Sequence, residues 1–301
     1  MIPRKPIDSF AIISMIILCM IWGLQQVSIK FILVDVAPVL QGAIRSIIAT
    51  IAIYIVIRVK KTPLALSRSV YKYGALAGLL FGLEFLFVNE GLRYTTASHI
   101  SVFTYTSPIF AALGMGWLLP EERLSVRQWL GIAICVMGIA IAFLYGGSGF
   151  NSTTLRGDLY GLLAGVSLGA TTVVIRSTPL GYAPATHVLY FQVLGASIML
   201  SLYALLTKQY HFTLSGFVIA NILFQGLVVS FASFLMWFFL IKRYYVSQVG
   251  NLGFLTPIFG VVFSILLLNE KLSSSFMVGS LCVIFGVVFI SLSRAKNIKA
   301  V

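Results

Sequence analysis

Charge is scarce in this chain: of 301 residues only 10% are Asp, Glu, Lys or Arg, while 59% are hydrophobic. That shortage excludes a soluble fold, which could not hide so much apolar surface, and makes lipid the solvent. Cysteine is equally sparse. Cys19, Cys135 and Cys282 all fall inside apolar runs and are odd in number, so neither a disulfide framework nor metal-ligand spacing is present. No phosphate-cradling glycine loop, HExxH pair or nucleophile–base–orienter set occurs, and the loops are too short for a soluble catalytic domain. No enzyme, cofactor or metal is expected. Strand-like alternation is missing too, which excludes a β-barrel.

What the chain does have is apolar runs of the length that crosses a bilayer, at 9–31, 37–57, 72–92, 97–118, 126–145, 157–176, 185–207, 217–240, 245–268 and 274–293. The expected fold is therefore an all-α integral membrane protein with ten transmembrane helices. The run after Arg4 and Lys5 is longer than a signal h-region and lacks a cleavage site before Trp22-Gly23, so it reads as a retained first span. The net charge of +13 is dispersed over alternate loops rather than gathered on one face, which argues against nucleic acid. Arg58, Lys60, Lys61, Arg68, Lys72 and most other loop cations share the side of the N-terminus, against Arg93, Arg156, Lys208 and Lys271 on the other. The positive-inside rule then places both termini in the cytoplasm.

The chain also repeats itself. The segment from Ser98 through Gly138 returns 148 to 149 residues later: Ser98 matches Ser247, Pro108 matches Pro257, and Glu122, Gly131 and Gly138 match Glu270, Gly279 and Gly286. Gly23 matches Gly169, and Lys30 matches Arg176, at an offset of 146. Five spans per copy is an odd number, so residues 1–148 and 149–301 are expected to be inverted repeats, joined near Gly146-Gly147.

With Ile21-Trp22-Gly23 in the first span, Arg45 in the second, Gly91 to Ser98 leading into the fourth, Pro108, and Leu118 to Ser125 followed by Gln128-Trp129-Leu130-Gly131, the chain resembles the EamA family of the drug/metabolite transporter superfamily along essentially its whole length. The resemblance implies export of small metabolites, often amino acids or their analogues, across the bacterial inner membrane through a cavity between the repeats.

Polar residues inside spans are costly in lipid and should face the bundle interior. Candidate cavity residues are Trp22, Gln25, Gln26, Arg45, Glu84, Ser98, His99, Tyr105, Thr171, Thr172, Trp237 and Asn251. Glu84 lies near the middle of the third span and its counterpart is Ser233, so the repeat does not demand an acid there; it is the candidate for proton coupling. Pro108 and Pro257 should kink their helices. Lys30 should snorkel to headgroups, Glu90 should pair with Arg93, and Ser125 to Gln128 has capping-box spacing. The leading expectation is a secondary active exporter of a small polar metabolite such as an amino acid, coupled to protons and surrounded by lipid, working by alternating access. The rivals are an exchanger of organic anions or sugar phosphates, which would want paired cations deep in the cavity, and a non-transporting membrane scaffold.

Overall fold

The computed structural model describes residues 5–62, 67–119, 124–144 and 152–298, and among them every regular element is helical. Helix α1 (Ser9–Phe31) starts where Asp8 accepts a hydrogen bond from the Ala11 amide at 3.0 Å. The Lys5 ammonium, with the Ala11 amide second, holds the Asp8 carboxyl well below its usual range. Helix α2 (Pro38–Val59) starts on a proline, whose missing N–H costs nothing in a first turn. Helix α3 (Arg68–Gly91) is capped by Ser67. Helices α4 (Ala97–Thr104), α5 (Ser107–Leu118) and α6 (Val126–Leu144) complete the first half. The second half holds α7 (Ser152–Ser177), α8 (Ala185–Leu206) and α9 (Gly216–Leu223), then a π-helical stretch (Phe224–Ser233), α10 (Phe234–Arg243), α11 (Val246–Leu252), α12 (Leu255–Leu268) and α13 (Ser274–Ile298).

Among the described residues seven helical segments are long and apolar enough to cross a membrane, Gly216–Ile241 running through the π-helical stretch and Gln248–Leu268 across the break between α11 and α12, and Val126–Ala142 and Ser274–Ile290 are shorter apolar helices. The expected fourth span is not one helix. Pro108 cannot donate to the Thr104 carbonyl, and the chain breaks at Tyr105-Thr106, where the Thr106 hydroxyl turns back onto the Phe103 carbonyl at 2.6 Å. Pro257 stands likewise in the first turn of α12, just after a break at Gly253-Phe254. The expected kinks are thus full interruptions, with each proline in the first turn of a new helix, where it is tolerated. The capping box forms as the spacing predicts: the Gln128 side chain accepts from the Ser125 amide at 2.9 Å. Glu122 and the join at Gly146-Gly147 lie outside the described residues.

Every extensive helix–helix interface pairs an element of the first half with one of the second: α6 with α13, α3 with α7 and α8, α2 with α8, α1 with α12, and α4 and α5 with α7. The close approaches repeat in kind. A Cβ on Gly23 would meet Phe259 Cβ at 2.8 Å and Gly260 N at 2.7 Å; on its counterpart Gly169 it would meet Phe110 Cβ at 2.7 Å and Ala111 N at 3.0 Å. Gly131 faces Gly286 while its copy Gly279 faces Gly138, the self-complementary pattern of a two-fold contact.

Backbone stitches fix the two ends of the bundle. Near Asp8, the Lys5 amide donates to the Arg243 carbonyl and the Tyr245 amide to the Lys5 carbonyl, both at 3.1 Å. At the opposite end, near Lys30, the Ala37 amide donates to the His211 carbonyl at 3.0 Å and the Thr213 amide to the Asp35 carbonyl at 2.7 Å.

Candidate functional site

A cavity of about 610 Å³ runs from the middle of the bundle toward the Asp8 end. Its depth is set by α1, α3, the α4–α5 break and α7; its mouth is set by the last turn of α7 with Arg176, by Tyr182 in the short Pro179–Tyr182 3-10 turn, and by Ile241 near the end of α10. Of the residues expected there, Trp22, Gln25, Gln26, Glu84, Tyr105, Thr171, Thr172 and Trp237 line it.

The wall is largely aromatic. The Trp22 indole N–H donates to the Ser233 hydroxyl at 2.8 Å, which holds the ring edge-on to Trp237, with centroids 5.8 Å apart, and 6.0 Å from Phe234. Phe234 in turn meets Phe81 edge-on at 5.9 Å, and Phe81 lies 4.5 Å from Phe85. Such contacts fix ring planes beyond what burial alone does. Against this wall stands the Glu84 carboxylate, 8% exposed, with Oε2 unpartnered within the protein. Gln26 Oε1 and Thr104 Oγ1 are also unpartnered. Buried polar atoms without partners are costly unless something enters to satisfy them.

Arg45 does not reach the cavity. It is fully buried behind Phe85, its guanidinium 4.1 Å from that ring, and none of its three nitrogens has a hydrogen-bond partner within the protein. Ser98 and His99 lie elsewhere too, at the Lys30 end. They stand in the first turn of α4, which bonds to Asp158 of α7 and to the loop before α13 rather than facing the central space. Ser98 donates to Glu270, and His99 Nδ1 sits 2.8 Å from Asp158. The Asn251 side chain lies outside the described residues. Lys30 does not snorkel: its ammonium donates to the Leu92 and Thr95 carbonyls at 2.6 and 2.7 Å. Glu90 does pair with Arg93, at 2.9 Å, and also accepts from Gln209.

Ser107, Gln192, Arg176 and Tyr182 line the cavity without having been singled out as cavity residues. Gln192 carried a usable signal, being polar in the middle of an apolar run. Arg176 was visible as the copy of Lys30 but reads as a loop cation. Tyr182 gave none, because its place depends on the turn after α7. Among the described residues no group of three His, Cys, Asp or Glu could hold a metal.

Residues 9–144 and 155–292 each match the model of the EamA-like transporter family. An uncharacterised transporter of Bacillus subtilis, YoaV, is 21% identical over 279 residues, covering 91% of this chain and 94% of that protein. A protein of Salmonella typhimurium described as a probable amino-acid metabolite efflux pump is 23% identical over 281 residues, covering 90% of this chain and 91% of its own length. A solved crystal structure superposes with a TM-score of 0.66 at 18% identity, over 96% of this chain and 98% of that one, a likeness of fold.

Proposed function

This chain belongs to the EamA-like transporter family, and from that premise we propose that it is a proton-coupled secondary transporter that exports a small amine-bearing metabolite, of the amino-acid class, by alternating access. The observation that carries this reading is a cavity built by both halves that reaches one end of the bundle and stops at mid-depth beside an acid. Two inverted repeats of five spans, residues 1–148 and 149–301, are supported by the matched glycine contacts of α1 with α12 and of α5 with α7. The distribution of loop cations supports an inner-membrane orientation with both termini in the cytoplasm, so the Asp8 end and the cavity mouth face inward.

Within the cavity Glu84 would receive the substrate ammonium or the coupling proton, Gln25, Gln26, Thr171, Thr172 and Gln192 would bond its polar atoms, and Trp22, Phe234 and Trp237 would cover its side chain. Among the described lining residues Glu84 is the one carboxylate, and unpartnered oxygens of Gln26 and Thr104 stand with it. That favours a cationic head group at mid-depth over the organic anions of the rival reading: Arg45 is sealed behind Phe85, Lys30 is committed to carbonyls, and Arg176 stands out at the mouth.

Uptake of a radiolabelled amino-acid mixture into proteoliposomes tests the proposal. Trp22→Ala is expected to lower the initial rate about tenfold, the usual cost of truncating a buried aromatic contact, with membrane abundance near normal. Equal losses of rate and abundance would make Trp22 a packing residue and remove the cavity from the transport path.

A further inference from the structure

The barrier opposite the cavity mouth is held by a side chain that no part of the transport reading uses. Helix α4 already has a local cap: Thr96 Oγ1 accepts from the His99 amide at 3.3 Å. A second cap comes from the other half of the chain. Glu270, in the loop between α12 and α13, accepts from the Ala97 amide at 2.8 Å with Oε1 and from the Ser98 amide at 3.1 Å with Oε2, and the Ser98 hydroxyl donates to Oε2 as well. Around this carboxylate the turn leading into α4 is tied down from two further sides. Lys30 of α1 grips the Leu92 and Thr95 carbonyls, while Asp158 of α7 accepts from Thr95 at 2.7 Å and pairs with His99. The His99 ring stacks on Phe276 of α13, with centroids 3.8 Å apart and planes within 3°. Directly beneath lies an apolar plug of Val27, Val88, Leu92, Ile100 and Ala164.

We propose that Glu270 is the latch of the outer gate: its carboxylate, docked on the N-terminus of α4, keeps the Lys30 end shut while the cavity stands open at the Asp8 end, and its release lets the plug part. The inference rests on the alternating-access reading. Three features separate a latch from an ordinary cap. The acceptor is supplied from 172 and 173 residues away, across the boundary between the repeats, when a local cap is already in place. The bonds are charge-assisted and placed on the positive end of a helix, so they are strong while made. They also sit at the end of the bundle rather than in its centre, with Glu270 itself only half-buried, so water can take up its carboxylate when the bonds break. Lys30 and Asp158 hold the α4 turn to α1 and α7, so the side that must part is the Glu270 loop together with the Phe276 ring stacked on His99.

The test uses the full chain with Cys19, Cys135 and Cys282 replaced by Ala and one reporter, Val27→Cys, in the plug. In intact cells and in inverted vesicles the reporter is exposed to a membrane-impermeant maleimide. With Glu270 present the reporter should label slowly from the Lys30 side; Glu270→Gln, which keeps the size but loses the charge and one acceptor, should raise that rate about tenfold or more, the factor that about 1.4 kcal/mol sets. Ser98→Ala, removing one of the three bonds, should raise it less. An unchanged labelling rate in a Glu270→Gln protein of normal abundance overturns the latch. A second arm stands if that variant fails to accumulate: Ser98→Cys with Glu270→Cys, bridged by a short reducible bifunctional thiol reagent, should stop uptake of the amino-acid mixture, and reductant should restore it. Continued transport by the bridged protein also overturns the latch. Failure of the unaltered protein to transport anything would instead refute the transport reading, and the labelling difference does not depend on it.

Discussion

Proteoliposomes carrying Glu84→Gln are expected to accumulate no substrate against its gradient when a proton gradient is imposed, while exchange of substrate down its own gradient continues. The glutamine preserves the shape of the side chain and an acceptor oxygen at the cavity wall, so the aromatic wall of Trp22, Phe81 and Phe234 keeps its place. What it removes is the capacity to take and give a proton in the middle of the bundle, which the proposed relay requires. The dependence of transport on pH expected of the unaltered protein should vanish with it. Glu84→Ala should lose both accumulation and exchange, because it removes the titrating group and the proposed contact with the substrate together. If Glu84→Gln still drives uphill transport with an unchanged pH profile, the acid is a hydrogen-bonded structural group and the coupling site lies elsewhere.

The largest effect on folding is expected at Gly195, where α8 crosses α3. A Cβ there would stand 2.5 Å from both the Cα and the carbonyl carbon of Gly78, which are backbone atoms with no rotamer to escape into. Overpacking of a core usually costs about 1–3 kcal/mol when side chains can yield; here the two helices themselves must separate. Gly195→Leu should therefore leave no folded protein detectable by fluorescence size-exclusion chromatography, and Gly195→Ala should leave a small residue. Gly216→Ala, at a position with nothing within 4 Å of the added carbon, should match the unaltered protein. Normal abundance of Gly195→Leu would show that α3 and α8 do not meet backbone to backbone.

Helix positions were legible because lipid imposes one rule on every residue of a span. The apolar run 9–31 returns as Ser9–Phe31, and the run 185–207 ends within one residue of α8. Breaks were harder to read. A proline announces that one backbone bond is missing, yet whether the helix bends or stops depends on how the chain around it closes: the Gly253 carbonyl is taken by the Thr256 amide at 3.0 Å and the Phe103 carbonyl by the Thr106 amide and hydroxyl, local turns that the proline alone does not announce. The π-helical stretch before Phe234 left no mark in the apolar pattern, since one extra residue per turn changes the facing of the side chains and not their polarity. In the cavity, Trp22, Gln26, Glu84 and Trp237 followed from polarity or amphipathic size within a run. Ser98, His99 and Arg45 satisfied the same rule and lie elsewhere. A polar group in a span must be buried, but a partner such as Glu270 or Asp158, or a sealed pocket behind Phe85, buries it as well as a cavity does. Identifying those partners takes the crossing of the two halves, which spacing along one helix does not contain.

That crossing also dictates how the protein comes off the ribosome. The extensive interfaces of α1, α2, α3 and α6 are with helices of the second half, so the first half enters the membrane with its polar faces unmet: Gln41 without Gln225, Ser28 without Asn221, Ser98 without Glu270. Until translation passes Leu206 the first half lacks α7 and α8, and α1 and α6 wait longer still, for α12 and α13. Assembly is then a late and collective event, and the half-made protein is a client for whatever holds membrane helices apart.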